Sequence, residues 1–91
     1  MIVLIVERAT PGMRGELSRW LLEPKSGVYV GRVSAMVREQ LWELVEKRLP
    51  RDGAAMLIQQ SKNDQGYEVR SIGEGSRLLV DFEGLWLVER P

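Results

Sequence analysis

The 91-residue chain contains no cysteine and no histidine, and it has a single phenylalanine. Without cysteine there is no disulfide framework and no thiolate nucleophile. Without histidine, Ser-His-Asp and Cys-His catalytic arrangements are excluded, and so is a zinc site built on imidazole or thiolate. The sequence also lacks a Walker phosphate loop and a dinucleotide glycine fingerprint. Long apolar runs are missing as well. The apolar start, Met1–Val6, is too short for a signal peptide or a membrane span, so the reading is a soluble cytoplasmic protein without a membrane partner. An excess of charge of one sign is absent, since 13 basic residues balance 13 acidic ones. What remains is carboxylate, hydroxyl, lysine and arginine chemistry. A carboxylate site of that kind favours magnesium or manganese, hard ions that take oxygen ligands and water.

The length suits one domain, residues 1–91, with a modest core, and twofold self-association is a common remedy for a small core. Although the net charge is zero, the charges are unevenly placed. Residues 1–38 hold six basic side chains against three acidic, and residues 39–91 hold seven against ten. Ten of the basic residues are arginine, whose planar fork suits phosphate. A basic N-terminal half is compatible with a nucleic-acid footprint and equally with a solvated surface.

Ile2–Val6 reads as a strand buried on both faces and central in its sheet. Thr10 caps a helix that begins at Pro11. Met13, Leu17, Trp20 and Leu21 follow one helical face, and Pro24 and Gly27 bracket the exit loop. Val28–Val33 is a second strand, with Gly31 a point of close approach. Ser34 caps a second helix whose buried face is Val37, Leu41, Leu44 and Val45, with Glu43 and Lys47 paired outside. Ala54–Gln60 and Tyr67–Ile72 form an antiparallel pair around a turn at Lys62–Gly66. Two short apolar runs, Leu78–Phe82 and Leu85–Val88, close the chain. The order predicts an α+β fold: a ferredoxin-like split βαβ sandwich with both helices on one face and extra C-terminal strand material. The uncovered sheet face would then expose apolar surface, which marks an interface.

Glu7 is the best candidate carboxylate, because it stands at the end of the most buried strand. One glutamate makes a poor magnesium site, but two brought together by a twofold axis could hold an ion and activate water. The plainer reading is that Glu7 ends the strand and pairs with Arg8 or Arg14. Arg14 lies in the first turn of the first helix between Gly12 and Gly15, where bare backbone would let a phosphate approach. Arg8, Lys25, Arg38 and Arg77 extend this patch, and each alone also reads as a solvated charge. Trp20 and Trp42 read as core rather than as base-stacking platforms. The apolar run Leu78–Val88 either completes the chain's own sheet or offers an edge to another chain, with Phe82 and Trp86 as anchors.

Two blocks carry a family resemblance. RGELSRWLLEPKSGVYVGRVSAMVREQLW, residues 14–42, is the stronger, and SRLLVDFEGLWLV, residues 76–88, is the weaker. From about Val3 to Val88 the chain resembles the type I-E form of the Cas-two family, the second of the two core CRISPR adaptation proteins. The resemblance implies a ferredoxin-like homodimer that bridges two dimers of the integrase, the first core adaptation protein. The bridge holds duplex DNA through its phosphates for insertion as a new spacer. It implies a nucleic-acid role for Arg14 and Arg77. It also implies an integrase-docking segment within residues 78–91, in which Val80, Asp81, Phe82, Leu85, Trp86 and Val88 are the candidate contacts. Many members of the family are described as metal-dependent endonucleases whose acidic residue, usually Asp, ends the first strand. The matching residue here is Glu7. Some relatives carry Arg where this chain has Gly12 and Ser76.

Three functions follow as expectations. The first is a dimeric, non-catalytic adaptor for spacer acquisition. The second is a magnesium-dependent endonuclease acting on RNA or duplex DNA through paired Glu7. The third is a small-ligand regulatory domain on the same fold.

Overall fold

The structure is a computed structural model that describes residues 1–73. Seven elements follow in the order β1 (Ile2–Glu7), α1 (Pro11–Ser18), β2 (Leu22–Lys25), β3 (Val28–Gly31), α2 (Ala35–Arg48), β4 (Ala54–Gln60) and β5 (Tyr67–Gly73). The strands form one antiparallel sheet in the order β2-β3-β1-β4-β5. The first six elements make the ferredoxin-like split βαβ plan, in which β3 lies between β1 and β2. β5 is added outside β4. The α+β class and the plan expected from the sequence are those observed. The expected runs Leu78–Phe82 and Leu85–Val88 lie outside the described residues.

β1 is central, as its composition suggests, but it is not buried on both faces. Ile2, Leu4 and Val6 are buried, whereas Val3, Ile5 and Glu7 are only half-buried. The reason is that both helices cover the same side. Met13 and Leu17 of α1 and Leu41, Trp42 and Val45 of α2 share one cluster with Ile2, Leu4, Val6, Tyr29, Ala55 and Leu57. Each fully buried Leu, Ile, Val or Met side chain in it stabilises the fold by about 1.5–3 kcal/mol. On the other side of the sheet the register aligns Val3, Ile5, Val28, Val30, Ile58 and Val69, all half-buried, with Met56 and Ala54, which are buried. Strict alternation along each strand puts this row opposite the helices.

The helix starts agree with the sequence reading. Thr10 Oγ1 accepts from the Met13 N–H at 3.2 Å, with Pro11 at the first helical position. Ser34 Oγ accepts from the Val37 N–H at 3.1 Å. The end of α1 does not agree. The helix stops at Ser18, the Arg19–Trp20 pair turns outward, and Trp20 is 51% exposed rather than core. Leu21 nevertheless returns to the core, its N–H bonded to the Leu17 carbonyl at 2.9 Å. In α2 Trp42 is buried, with Val37 and Leu44 at the border of the core.

Where the sequence predicts an exit loop bracketed by Pro24 and Gly27, the chain forms β2. Pro24 argues against a strand wherever the ladder needs its N–H, but β2 is the sheet edge, where the missing donor faces outward. The register shifts between Leu22 and Lys25, as an edge strand interrupted by proline allows. β3 ends at Gly31, two residues early, and a Cβ there would meet Leu21 Cδ2 at 2.9 Å. β4 has the expected bounds and pairs with β5 around the expected turn. No helix among the described residues is long and apolar enough to cross a membrane.

A polar fork ties α2 to the sheet. Arg70 on β5 donates from Nη1 to Glu39 Oε1 at 2.8 Å and from Nη2 to Oε2 at 2.7 Å, and Nη2 also reaches Gln59 Oε1 at 2.8 Å. Its guanidinium carbon lies 5.6 Å from the centroid of the Trp42 ring. Hydrogen bonds from Arg70 first, and then from Arg38, lower the Glu39 carboxyl from 4.5 to about 2. A depressed carboxylate contributes stability that is present above its unfolded pKa and is lost as pH falls through the folded one. Thermal melts between pH 5 and pH 2 are therefore expected to show a loss of stability that is smaller in Glu39→Gln. An identical pH dependence in the two proteins would remove the fork from the account of acid stability.

Candidate functional site

At the end of β1 the chain leaves the sheet sharply. Glu7 pairs with Ala54 as the last strand residue, and Arg8 then takes a left-handed backbone with φ 63°. That conformation is uncommon for a side chain other than glycine and tends to occur at turns and functional sites. It directs the chain through Ala9 and Thr10 into α1. Across this corner lies the β2–β3 turn, whose Gly27 carbonyl accepts from the Val6 N–H at 2.8 Å. The result is an open cleft of about 420 Å³ lined by Val6, Glu7, Arg8, Ala9, Arg14, Ser26 and Gly27. Three of the residues nominated from sequence, Glu7, Arg8 and Arg14, meet here.

Arg14 is held from outside its own helix. Its Nη2 donates to Glu23 Oε2 at 2.9 Å, and the same oxygen accepts from the Gly27 backbone N–H at 2.9 Å. The Gly27 hydrogen bond is the chief reason the Glu23 carboxyl is lowered from its ordinary value, with the nearby Arg14 charge adding to it. Glu23 is 19% exposed at the side chain and Arg14 is 45% exposed, so the carboxylate sits beneath the guanidinium. Tyr29 next to this pair is fully buried, and its hydroxyl interacts with Glu23 and Arg14 without reaching strict hydrogen-bond geometry. Burial, and then the Glu23 charge, push the Tyr29 pKa up. Gly12 and Gly15 flank Arg14 with nothing within 4 Å of where a Cβ would stand. The bare backbone expected there is present.

The other nominated residues are more dispersed. Arg8 Nε pairs with Asp52 Oδ2 at 3.2 Å, both side chains exposed. Glu7 has no ion pair among the described residues, so the expected pairing with Arg8 or Arg14 is not the one formed. Lys25 is exposed and precedes the Ser26–Gly27 wall of the cleft. Arg38 lies apart on α2, paired with Glu39 at 2.9 Å. Arg77, Val80, Asp81, Phe82, Leu85, Trp86 and Val88 lie outside the described residues. The sequence reading missed Glu23, Ser26 and Gly27. A signal was present, since Glu23 precedes Gly27 by four residues across Pro24, within reach of a turn N–H.

The donor set does not by itself fit magnesium. Among the described residues no three Asp or Glu side chains gather as ligands. The cleft has one carboxylate, Glu7, beside two guanidiniums. A divalent cation wants several oxygen donors and is repelled by adjacent cations. The cleft lining alone lacks the several oxygen donors such an ion takes.

The family model described as CRISPR-associated protein (Cas_Cas2CT1978) matches residues 1–87.

The turn that walls the cleft leaves no room for a side chain. Gly27 has φ 82°, and a Cβ on it would lie 2.7 Å from the Val6 carbonyl oxygen. Gly27→Ala is expected to destabilise the fold by about 2 kcal/mol or more in urea unfolding, from backbone strain and the clash together. A loss below about 0.5 kcal/mol, the range of ordinary surface substitutions, would show that the turn yields easily.

Proposed function

Because the chain belongs to the CRISPR-associated protein family matched over residues 1–87 (Cas_Cas2CT1978), we propose that it serves spacer acquisition as a dimeric adaptor. In this reading it binds duplex DNA through phosphates and links that DNA to the integrase. The observation that carries the reading is the meeting of Arg8 and Arg14 at one open cleft, beside the bare backbone of Gly12. Guanidiniums presented with exposed backbone suit phosphate oxygens, and phosphate contacts carry no sequence preference. An adaptor for arbitrary spacers needs that indifference. Lys25, one step from the cleft wall, and Arg77 extend the contact, with Arg38 at the periphery.

The row of half-buried aliphatic residues opposite the helices supports a homodimer formed through that face, since exposed apolar rows of this kind are rarely left uncovered. The segment 78–91, with Val80, Asp81, Phe82, Leu85, Trp86 and Val88, is the docking element for the integrase.

A second reading, magnesium-dependent cleavage of RNA or duplex DNA, rests on Glu7. That residue has no ion-pair partner among the described residues and belongs to the same register row as Val3 and Ile5. Two copies facing each other across a twofold axis on that row would bring two carboxylates nearer. The adaptor reading is preferred because the cleft lining presents two arginines, each steadied by a carboxylate outside that lining, and only one carboxylate of its own.

Spacer acquisition in cells is expected to survive Glu7→Ala and to be lost in Arg14→Glu combined with Arg77→Glu. Acquisition that persists in the double arginine variant would sink the DNA-bridge reading. Metal-dependent cleavage by the purified chain, lost in Glu7→Ala and on chelation, would install the second reading in its place. Removing residues 78–91 is expected to abolish co-purification with the integrase.

A further inference from the structure

Glu23 on β2 links the first helix to the β2–β3 turn. Its Oε2 receives Arg14 from α1 and the Gly27 N–H from the β2–β3 turn, each at 2.9 Å. Gly27 is in turn fastened to β1 through the Val6 N–H at 2.8 Å. An arginine on an eight-residue helix, with a long and flexible side chain, is thereby referenced to the central strand of the sheet. Fixing an arginine side chain costs much of its rotamer freedom. A partner that fixes it before an anion arrives lowers the cost of binding that anion.

Two opposite effects of Glu23 can be imagined. As a fixed negative charge it competes with phosphate for Arg14. As an anchor it keeps Arg14 at the cleft. The geometry decides between them. Glu23 uses one donor, Nη2, and lies beneath the guanidinium at 19% side-chain exposure, while Arg14 is 45% exposed and lines the cleft. The carboxylate thus stands on the buried side of the fork, and the remaining donors of the guanidinium are left for an incoming anion. The buried Tyr29 hydroxyl, close enough to be raised by Glu23, lies next to this pair.

We infer that Glu23 is a positioning residue for phosphate binding: hooked to the Gly27 N–H, it holds the Arg14 guanidinium at the cleft in the orientation a duplex backbone meets. The inference rests on the DNA-binding reading above and adds to it a residue that itself touches no phosphate.

The test measures binding of a labelled mixed-sequence DNA duplex by fluorescence anisotropy in magnesium-free buffer. It uses the full chain and the variants Glu23→Gln, Glu23→Ala, Arg14→Ala and the double alanine. Arg14→Ala is expected to weaken binding about tenfold, the scale of one charge-assisted hydrogen bond. Glu23→Ala is expected to lose a comparable amount, with no further loss in the double alanine, because both changes remove the same oriented contact. Glu23→Gln keeps an oxygen for both donors and is expected to bind within about threefold of the unaltered chain, or more tightly since a negative charge is gone. A thermal melt accompanies each variant, and if Glu23→Ala is unfolded the Gln variant and the Arg14 side-chain Nε–H signal in NMR decide. That signal is expected to keep its position in Glu23→Gln.

Tighter binding by both Glu23 variants would make the carboxylate a competitor and overturn the inference. So would unchanged binding by Glu23→Ala beside a weakened Arg14→Ala, or an Arg14 signal released in Glu23→Gln. No duplex binding by the unaltered chain, or an Arg14→Ala that binds normally, would instead overturn the DNA reading on which the inference stands.

Discussion

The seat of the Gly27 turn against Val6 is the constraint on which the rest of the corner depends. The Val6 N–H holds the Gly27 carbonyl, and the Val6 carbonyl occupies the space that any side chain at position 27 would need. With the turn pressed to the central strand, the Gly27 N–H has one place to point, and Glu23 lies there. The Arg14 guanidinium is held in turn by Glu23. A short contact between two backbones thus sets the spacing of three arginine-bearing and carboxylate-bearing segments that are distant in sequence.

Zero net charge is a poor guide to what such a surface binds. Most of the arginines described have a carboxylate neighbour: Arg8 with Asp52, Arg14 with Glu23, Arg19 with Glu16, and Arg38 and Arg70 with Glu39. Exposed pairs of this type are individually weak and are screened by salt. A polyanion need not find free cations. It has to offer more than one exposed carboxylate does. The exception is the Glu39–Arg70 fork, where two parallel hydrogen bonds and an aromatic face hold the geometry.

Elements whose boundaries are written in local chemistry were legible. Thr10-Pro11 and Ser34 mark helix starts because their side chains satisfy N–H groups that no other group serves. β4 was legible because a run of apolar residues sits between Gly53 and a polar turn. β2 was not, because Pro24 is a breaker everywhere except at an edge, and edge position belongs to the assembled sheet. The exposure of Trp20 was hidden for a related reason. Periodicity continues past Ser18 in the sequence, but the helix does not, and nothing local to Arg19 announces the stop. In the site, Glu7, Arg8 and Arg14 were found from their position at element ends. Glu23 escaped notice because its role depends on Gly27, four residues away, closing on Val6 of the first strand.

β5 is the outermost strand beyond β4 among the described residues, yet it is not loosely added. Its residues Tyr67–Gly73 pair one to one with β4, and Arg70 at its middle is forked to α2 on the helical side of the sheet. The strand is therefore fastened along its length by the ladder and across its middle by a side chain. Tension applied along the strand from Gly73 would load the whole ladder in shear and the fork with it. Tension applied across it would open the pairs one at a time from Ala54 and Gly73, until Arg70 took the strain. The mechanical strength of this edge thus depends on the direction of pull, and the fork marks the point at which peeling would stall.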